Sequence, residues 1–289
     1  MLTSNFTGNL GNHMFIYALT RTVAEYNNYD WGFNPRPEYD YYHGKPQMDF
    51  LDIDYGKIHN YSYNENPPWI KYIWREYYEH KDFVYGDSID FHPFQKDVFD
   101  IKDNTKLFIR CAQDARYYDK EKLKEWFKIK DEEKGKYKAN IRQFGFDIRQ
   151  DNVTVINIRG GEYKGVSNLL LRKKYWQDAI NIMKKRNPSM LFICVTDDEN
   201  YANRLLNFNV PITHLSIGGD YYIINKAKNI ILSNSSFGIF PAWLNENNPF
   251  VIAPRYWSRH NVSTGYWANS DIWTFGWNFL DKDGKLYNQ

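Results

Sequence analysis

Between residues 153 and 254 the chain alternates short apolar runs with amphipathic segments of helical length, and few folds satisfy that rhythm. VTVINIRG (153–160) is a β-branched run that closes on glycine, and RKKYWQDAINIMKKRN (172–187) then puts Tyr175, Ala179, Ile182 and Met183 on one helical stripe. The pattern repeats through MLFICV (190–195), a helix near 199–208, ITHLS (212–216), a helix near 220–228, NIILS (229–233), a helix near 236–246 and PFVIAP (249–254). Strands that are apolar along their whole length need cover on both faces, which parallel βα units provide. The expected fold class is α/β, with residues from about 150 onward forming one Rossmann-like domain.

The first half opens the same way, with a strand at 2–6, a glycine turn TGNLGN (7–12) and a helix over about 12–26. Phe15, Leu19, Thr22, Val23 and Tyr26 mark the expected buried stripe of that helix. Residues 34–105 are irregular and aromatic, punctuated by Pro35, Pro37, Pro46, Pro67, Pro68 and Pro93. LFIRCA (107–112) restores a strand, and residues 119–138 read as a charged helix or a helix plus loop. The expected organisation is two Rossmann-like domains, 1–148 and 149–289, facing a cleft that takes a ligand at the carboxyl ends of the strands.

Composition narrows the function. In 289 residues, 37 Lys and Arg against 35 Asp and Glu leave a net charge of +2, too little for a field that holds a polyanion, so nucleic acid is not an expected partner. Cys111 and Cys194 lie far apart in apolar runs, the pattern of buried free thiols in a reducing compartment. The N-terminal MLTSNFTGNLG lacks a basic and an apolar region, and no stretch approaches the roughly 18 apolar residues of a membrane span, so a cytoplasmic protein without an integral membrane segment is expected.

Four turns can carry chemistry. In TGNLGN the glycines let backbone amides approach an anion, although Asn12 capping a helix explains them equally well. In NIRGGEYKG (157–165), Arg159 at a strand end can grip a phosphate through paired bonds, and Glu162 can orient it or take a proton. VTDDEN (195–200) offers Asp197 and Asp198 to a base, to ribose hydroxyls or to a helix N-terminus. In SNSSFGIFPAW (233–243), Asn234, Ser235 and Ser236 open a helix with hydroxyls and amides suited to a diphosphate. The Asp-x-Asp of LDIDYG (51–56) and the DKD at 281–283 are attributed to chance, and the histidines and cysteines lack zinc spacing, so no metal or cofactor is expected.

Taken in order, GNLGNHMFIYAL, LFIRCAQDARYY, VINIRGGEY, VTDDEN and NIILSNSSFGIFPAWLNENNPFVIAPRYW resemble the α-1,2-fucosyltransferase family of inverting glycosyltransferases, from about residue 5 to residue 257. The resemblance implies a GT-B fold that transfers fucose from GDP-fucose to a glycan acceptor without a metal, the donor held mainly by the second domain. It places Arg159 on the donor diphosphate and Glu162 and Tyr163 at the family's Asp-Tyr. Asp197 and Asp198 fall near the nucleoside, Gly11 and Asn12 on a loop facing the donor, and Asn234, Ser235, Ser236 and Phe237 on the family's Asn-Ser-Ser-Phe.

The chain departs from the family's His-x-Arg-Arg-Gly-Asp-Tyr with Asn157 for the histidine, Gly160 for the second arginine and Glu162 for the aspartate. His13 follows Gly-Asn where glutamine is common, and Gly-Ile-Phe-Pro follows Phe237 where two tryptophans are usual. The expected mechanism is a single in-line displacement, with Arg159 and residues 234–236 stabilising the departing diphosphate and Glu162 as base. The alternatives are a transferase using another GDP-sugar, or a degenerate carbohydrate-binding protein whose aromatic segment 266–277 stacks on glycan. Acceptor contacts are expected from the first half, with Tyr41, Tyr42, Trp69 and Trp74 as platforms or packing.

Overall fold

A computed structural model describes residues 1–33, 47–57, 75–78, 94–109, 112–165, 169–206, 208–257, 260–261 and 272–288. Tyr41, Tyr42, Trp69, Trp74, Cys111 and residues 266–271 lie outside the described residues.

The first unit holds β1 (Leu2–Ser4), α1 (Leu10–Tyr26), β2 (Trp31–Gly32), β3 (Arg75–Tyr78) and β4 (Thr105–Phe108), then α2 (Lys120–Trp126) and α3 (Asp131–Arg142). Its four strands form a parallel sheet in the order β2-β1-β4-β3. The second unit runs β5 (Val153–Ile158), α4 (Lys173–Arg186), β6 (Leu191–Thr196), α5 (Glu199–Leu205), β7 (Ile212–Thr213), α6 (Ile217–Lys226), β8 (Asn229–Ile231), α7 (Ile239–Trp243), β9 (Phe250–Pro254), β10 (Asn278–Leu280) and β11 (Leu286–Tyr287). These strands form a seven-stranded sheet, β11-β10-β9-β8-β5-β6-β7, parallel except for β11. Two parallel α/β units facing a cleft are the expected fold class.

The larger sheet is covered on both faces, as its sequence requires. Val153, Val155, Ile193, Val195 and Ile230 join a core that reaches into the first unit, while Ile156, Ile158, Phe192, Cys194 and Ile231 join a second core against α4. The two-residue period of a strand sends neighbours to opposite faces, and here both faces are apolar. On α4, Tyr175, Ala179 and Met183 are buried as expected, joined by Trp176 and Ile180, whereas Ile182 is only partly buried.

The first helix corrects the sequence reading. It begins at Leu10, with Asn9 rather than Asn12 at its N-cap, and Tyr26 at its far end is 68% exposed. From Leu10 to Thr20 it is buried nearly all round, because it lies between its own sheet and the second unit. The Phe15 ring stands 4.4 Å from Phe240 across that boundary, and Phe50 5.3 Å from Tyr221. A helix packed from two sides needs no narrow stripe, and its polar face disappears. The strand expected over 107–112 ends at Phe108, and the charged segment beyond it divides into α2 and α3.

Candidate functional site

A cleft of about 750 Å³ opens where the two sheets face each other, at the carboxyl ends of their parallel strands. Of the residues singled out in the sequence, Gly11, Asn12, Asn157, Arg159, Glu162, Asp197, Asn234, Ser235, Ser236 and Phe237 line it. Asp198 does not.

The turn after β5 is held by the turn after β6. Asp197 accepts from Arg159 Nη1 at 2.6 Å and from the Gly160 amide at 2.8 Å, which fixes the guanidinium in the cleft. Glu162 lies 3.4 Å from Arg159 Nη2 and is largely exposed. The glycines are explained by contact. A Cβ at Gly160 would stand 2.7 Å from Asp198 Cβ and 2.9 Å from Tyr201 Cδ1, and one at Gly161 would collide with the Asp197 carboxylate. A second arginine at position 160 therefore has no room on this backbone.

The paired aspartates part ways. Asp198 accepts from the Tyr201 amide at 2.9 Å as the N-cap of α5 and pairs with Lys164, whose ammonium holds its carboxyl below the usual carboxylate range. Its oxygens are occupied outside the cleft.

The turn after β8 is equally fixed. Asn234 donates to Leu169 O at 2.8 Å and to Trp257 O at 3.3 Å, and Ser235 caps the single 3-10 turn at Ser236–Gly238. Asn157 is buried and accepts from Ser233 Oγ at 3.3 Å, so it ties the β5 end to this turn. The Ser236 hydroxyl donates to Asn12 Oδ1 at 3.2 Å, joining the two units. Gly11 lies against the same turn, and a Cβ there would stand 2.6 Å from Phe237 N. Two motifs 225 positions apart in sequence are thus in direct contact.

Among the lining residues that escaped the sequence reading are three whose polar side chains bear on the cleft. Gln47 accepts from the Leu10 amide at 2.5 Å and donates to Asn9 Oδ1 at 3.2 Å, doing for α1 what a capping side chain does. Asp220, in the first turn of α6, is buried beside the cleft, where it accepts from the Leu215 amide at 3.0 Å and contacts His214 Nδ1 at 2.9 Å. Burial raises its carboxyl to about 6. Gln113 lies on the wall of the first unit. Gln113 follows the end of β4, and Asp220 the end of β7, only after intervening residues, so neither stands on the turn that a strand end announces.

Among the described residues no group of three or more His, Cys, Asp or Glu side chains gathers as a metal site. Asp54, the second carboxylate of the Asp-x-Asp, accepts from the Gly56 amide at 2.8 Å in a local turn. No helix of the described residues is long and apolar enough to cross a membrane.

Two parallel α/β units with a cleft at the carboxyl ends of their strands are an architecture that takes ligands at that edge. The model of glycosyl transferase family 11 matches residues 87–281, and the chain belongs to that family: it is a glycosyltransferase. It is 26% identical over 276 residues to the α-1,2-colitosyltransferase of Escherichia coli, covering 89% of this chain and 92% of that protein. It is 25% identical over 138 residues to the O-antigen biosynthesis glycosyltransferase WbnK of Escherichia coli, covering 41% and 44%. The crystal structure of fucosyltransferase NodZ from Bradyrhizobium aligns with 86% of this chain and 95% of its own at 12% identity, with a TM-score of 0.48.

Proposed function

We propose that this glycosyltransferase transfers fucose from GDP-fucose to a hydroxyl of a glycan, forming an α-1,2 linkage with inversion at the anomeric carbon. The observation that carries the reading is the meeting of Arg159, the hydroxyls and amides of 234–237 and the start of α1 in one cleft. An incoming diphosphate takes the Arg159 guanidinium from Asp197 and Glu162, and the donors that bind it stabilise the charge that grows as it leaves. Glu162 is the base that receives the proton of the attacking hydroxyl. In this reading residues 149–289 hold the donor and residues 1–148 the acceptor, in the cytoplasm and without a metal.

The nucleoside end of the cleft is acidic. Guanine presents a ring N–H and an amino group to an acceptor, and the Asp220 carboxylate keeps lone pairs beyond those that meet the Leu215 amide and His214. GDP affinity is therefore expected to hold above pH 7 and to fall about tenfold per unit below about 6, as Asp220 takes up a proton. Calorimetry from pH 5 to 8 on wild type and Asp220→Asn tests this, since the titration of the ligand's own phosphate is common to both. Parallel profiles would refute the assignment. The same raised value makes Asp220 stabilise the fold below its ordinary value of 3.8 and lose that contribution as pH rises through about 6.

Titration of GDP, UDP and GMP with and without EDTA tests the donor reading. GDP-selective binding that ignores EDTA is expected, and metal-dependent UDP binding would overturn it. A second reading, transfer of another sugar from GDP, is favoured by the relative named as a colitosyltransferase and by Asn157 and Gly160. Turnover of GDP-fucose beside GDP-colitose and GDP-mannose separates the two.

A further inference from the structure

We propose that Gln113 binds a sugar hydroxyl in the cleft, an assignment that rests on the glycosyltransferase reading above. Gln113 lies beyond the carboxyl end of β4, lines the cleft and is only 7% exposed. Its Oε1 is buried and has no hydrogen-bond partner among the described residues. Folding rarely leaves such an atom unpaired, because the group gives up water and gains nothing in return. Turning the amide over changes only whether an acceptor or a donor is left waiting. A hydroxyl, which both donates and accepts, satisfies either orientation.

The backbone holds the side chain where it is. Ala112 has φ 47°, the left-handed region that a side chain normally avoids, and its carbonyl accepts from Tyr118 Oη at 2.7 Å. On the other side, the buried Asp114 carboxylate is gripped by Arg116 through Nε at 3.0 Å and Nη2 at 2.5 Å. The Ala115 amide donates to Thr274 Oγ1 at 2.8 Å. The Tyr118 ring in turn packs on Phe15 and Phe240, which spans both units. Gln113 is therefore fixed on a wall whose other lining includes Phe15, Ile16, Leu107, Phe108 and Ile109. A neutral amide among apolar side chains suits a neutral sugar, whereas the charged diphosphate has its partners on the opposite wall around Arg159.

The hydroxyl can belong to the transferred sugar or to the acceptor, and Gln113→Met separates the two while keeping the side chain's length. Four quantities are measured: Tm, GDP affinity, GDP-fucose affinity, and kcat and KM for transfer to whichever methyl β-glycoside the wild type uses fastest. Removing an unpaired buried polar atom should leave Tm unchanged or slightly higher and GDP affinity unchanged, while kcat/KM for transfer falls about 10- to 100-fold. A loss of GDP-fucose affinity relative to GDP places the hydroxyl on the transferred sugar. Unchanged GDP-fucose affinity with a raised acceptor KM places it on the acceptor. Transfer within twofold of wild type in Gln113→Met, or a Tm lowered by several degrees together with weaker GDP binding, overturns the proposal. A wild type that binds no GDP instead refutes the donor reading itself, and this assignment with it.

Discussion

Arg159→Ala is expected to lower sugar transfer about 10²- to 10³-fold and to weaken GDP binding about 10- to 100-fold, with the fold intact. Arg159 is the one Lys or Arg among the described residues that line the cleft, and its guanidinium is already aimed by Asp197, which the Gly160 amide holds in turn. Its removal costs more than a charge, because the carboxylates of Asp197 and Glu162 would then face the diphosphate uncompensated. Glu162→Gln sharpens the result. If Glu162 takes the proton of the attacking hydroxyl, that variant loses transfer about 10²-fold or more while GDP affinity holds or rises, since a like charge has left the site. Retention of most activity in Glu162→Gln beside its loss in Arg159→Ala would discard the base assignment and keep the electrostatic one. Steady-state kinetics beside calorimetry reads both outcomes.

Gly11→Ala should be nearly as damaging for a different reason. Only a methyl group is added, but it would lie against the Ser236 backbone and 2.6 Å from Phe237 N, and neither is the flexible end of a side chain. The two units must move apart, at a cost of about 1–3 kcal/mol of overpacking. The bond from Ser236 to Asn12 and the packing of Phe15 on Phe240 sit at the same junction and loosen with it. Loss of transfer by more than tenfold and a Tm lowered by several degrees are expected. Gly135→Ala is the control, because a Cβ there meets nothing within 4 Å and alanine favours the helix by about 1 kcal/mol. Equal Tm and activity in the two variants would show that the unit junction tolerates the methyl group.

Much of the cleft's lining could be read in advance because it lies on turns that directly follow strands. A β-branched run ending in Arg159-Gly160-Gly161 or Asn234-Ser235-Ser236 announces both its strand and its turn locally, and parallel sheets gather such turns at one edge. The same local reading left Asp198 open between the two roles, since capping and ligand binding ask for the same residue at the same place. Only the position of Lys164 and the Tyr201 amide resolved the choice. Asp220 was hidden because a helix's first turn commonly holds an acid for its own sake. Gln113 was hidden because nothing local distinguishes a glutamine lacking a partner from one on the surface.

The sequence by itself determined the periodicities, and with them the parallel strands, the helices between them and the glycine turns at the strand ends, because each depends on residues a few positions apart. The tertiary structure alone decided which turns meet. It buried α1 on two sides, set Gly11 against Ser236, sent Asp197 into the cleft and Asp198 out of it, and brought Asp220 and Gln113 to the lining. Those contacts join segments separated by most of the chain. They are fixed by how two finished sheets pack, which no local pattern encodes.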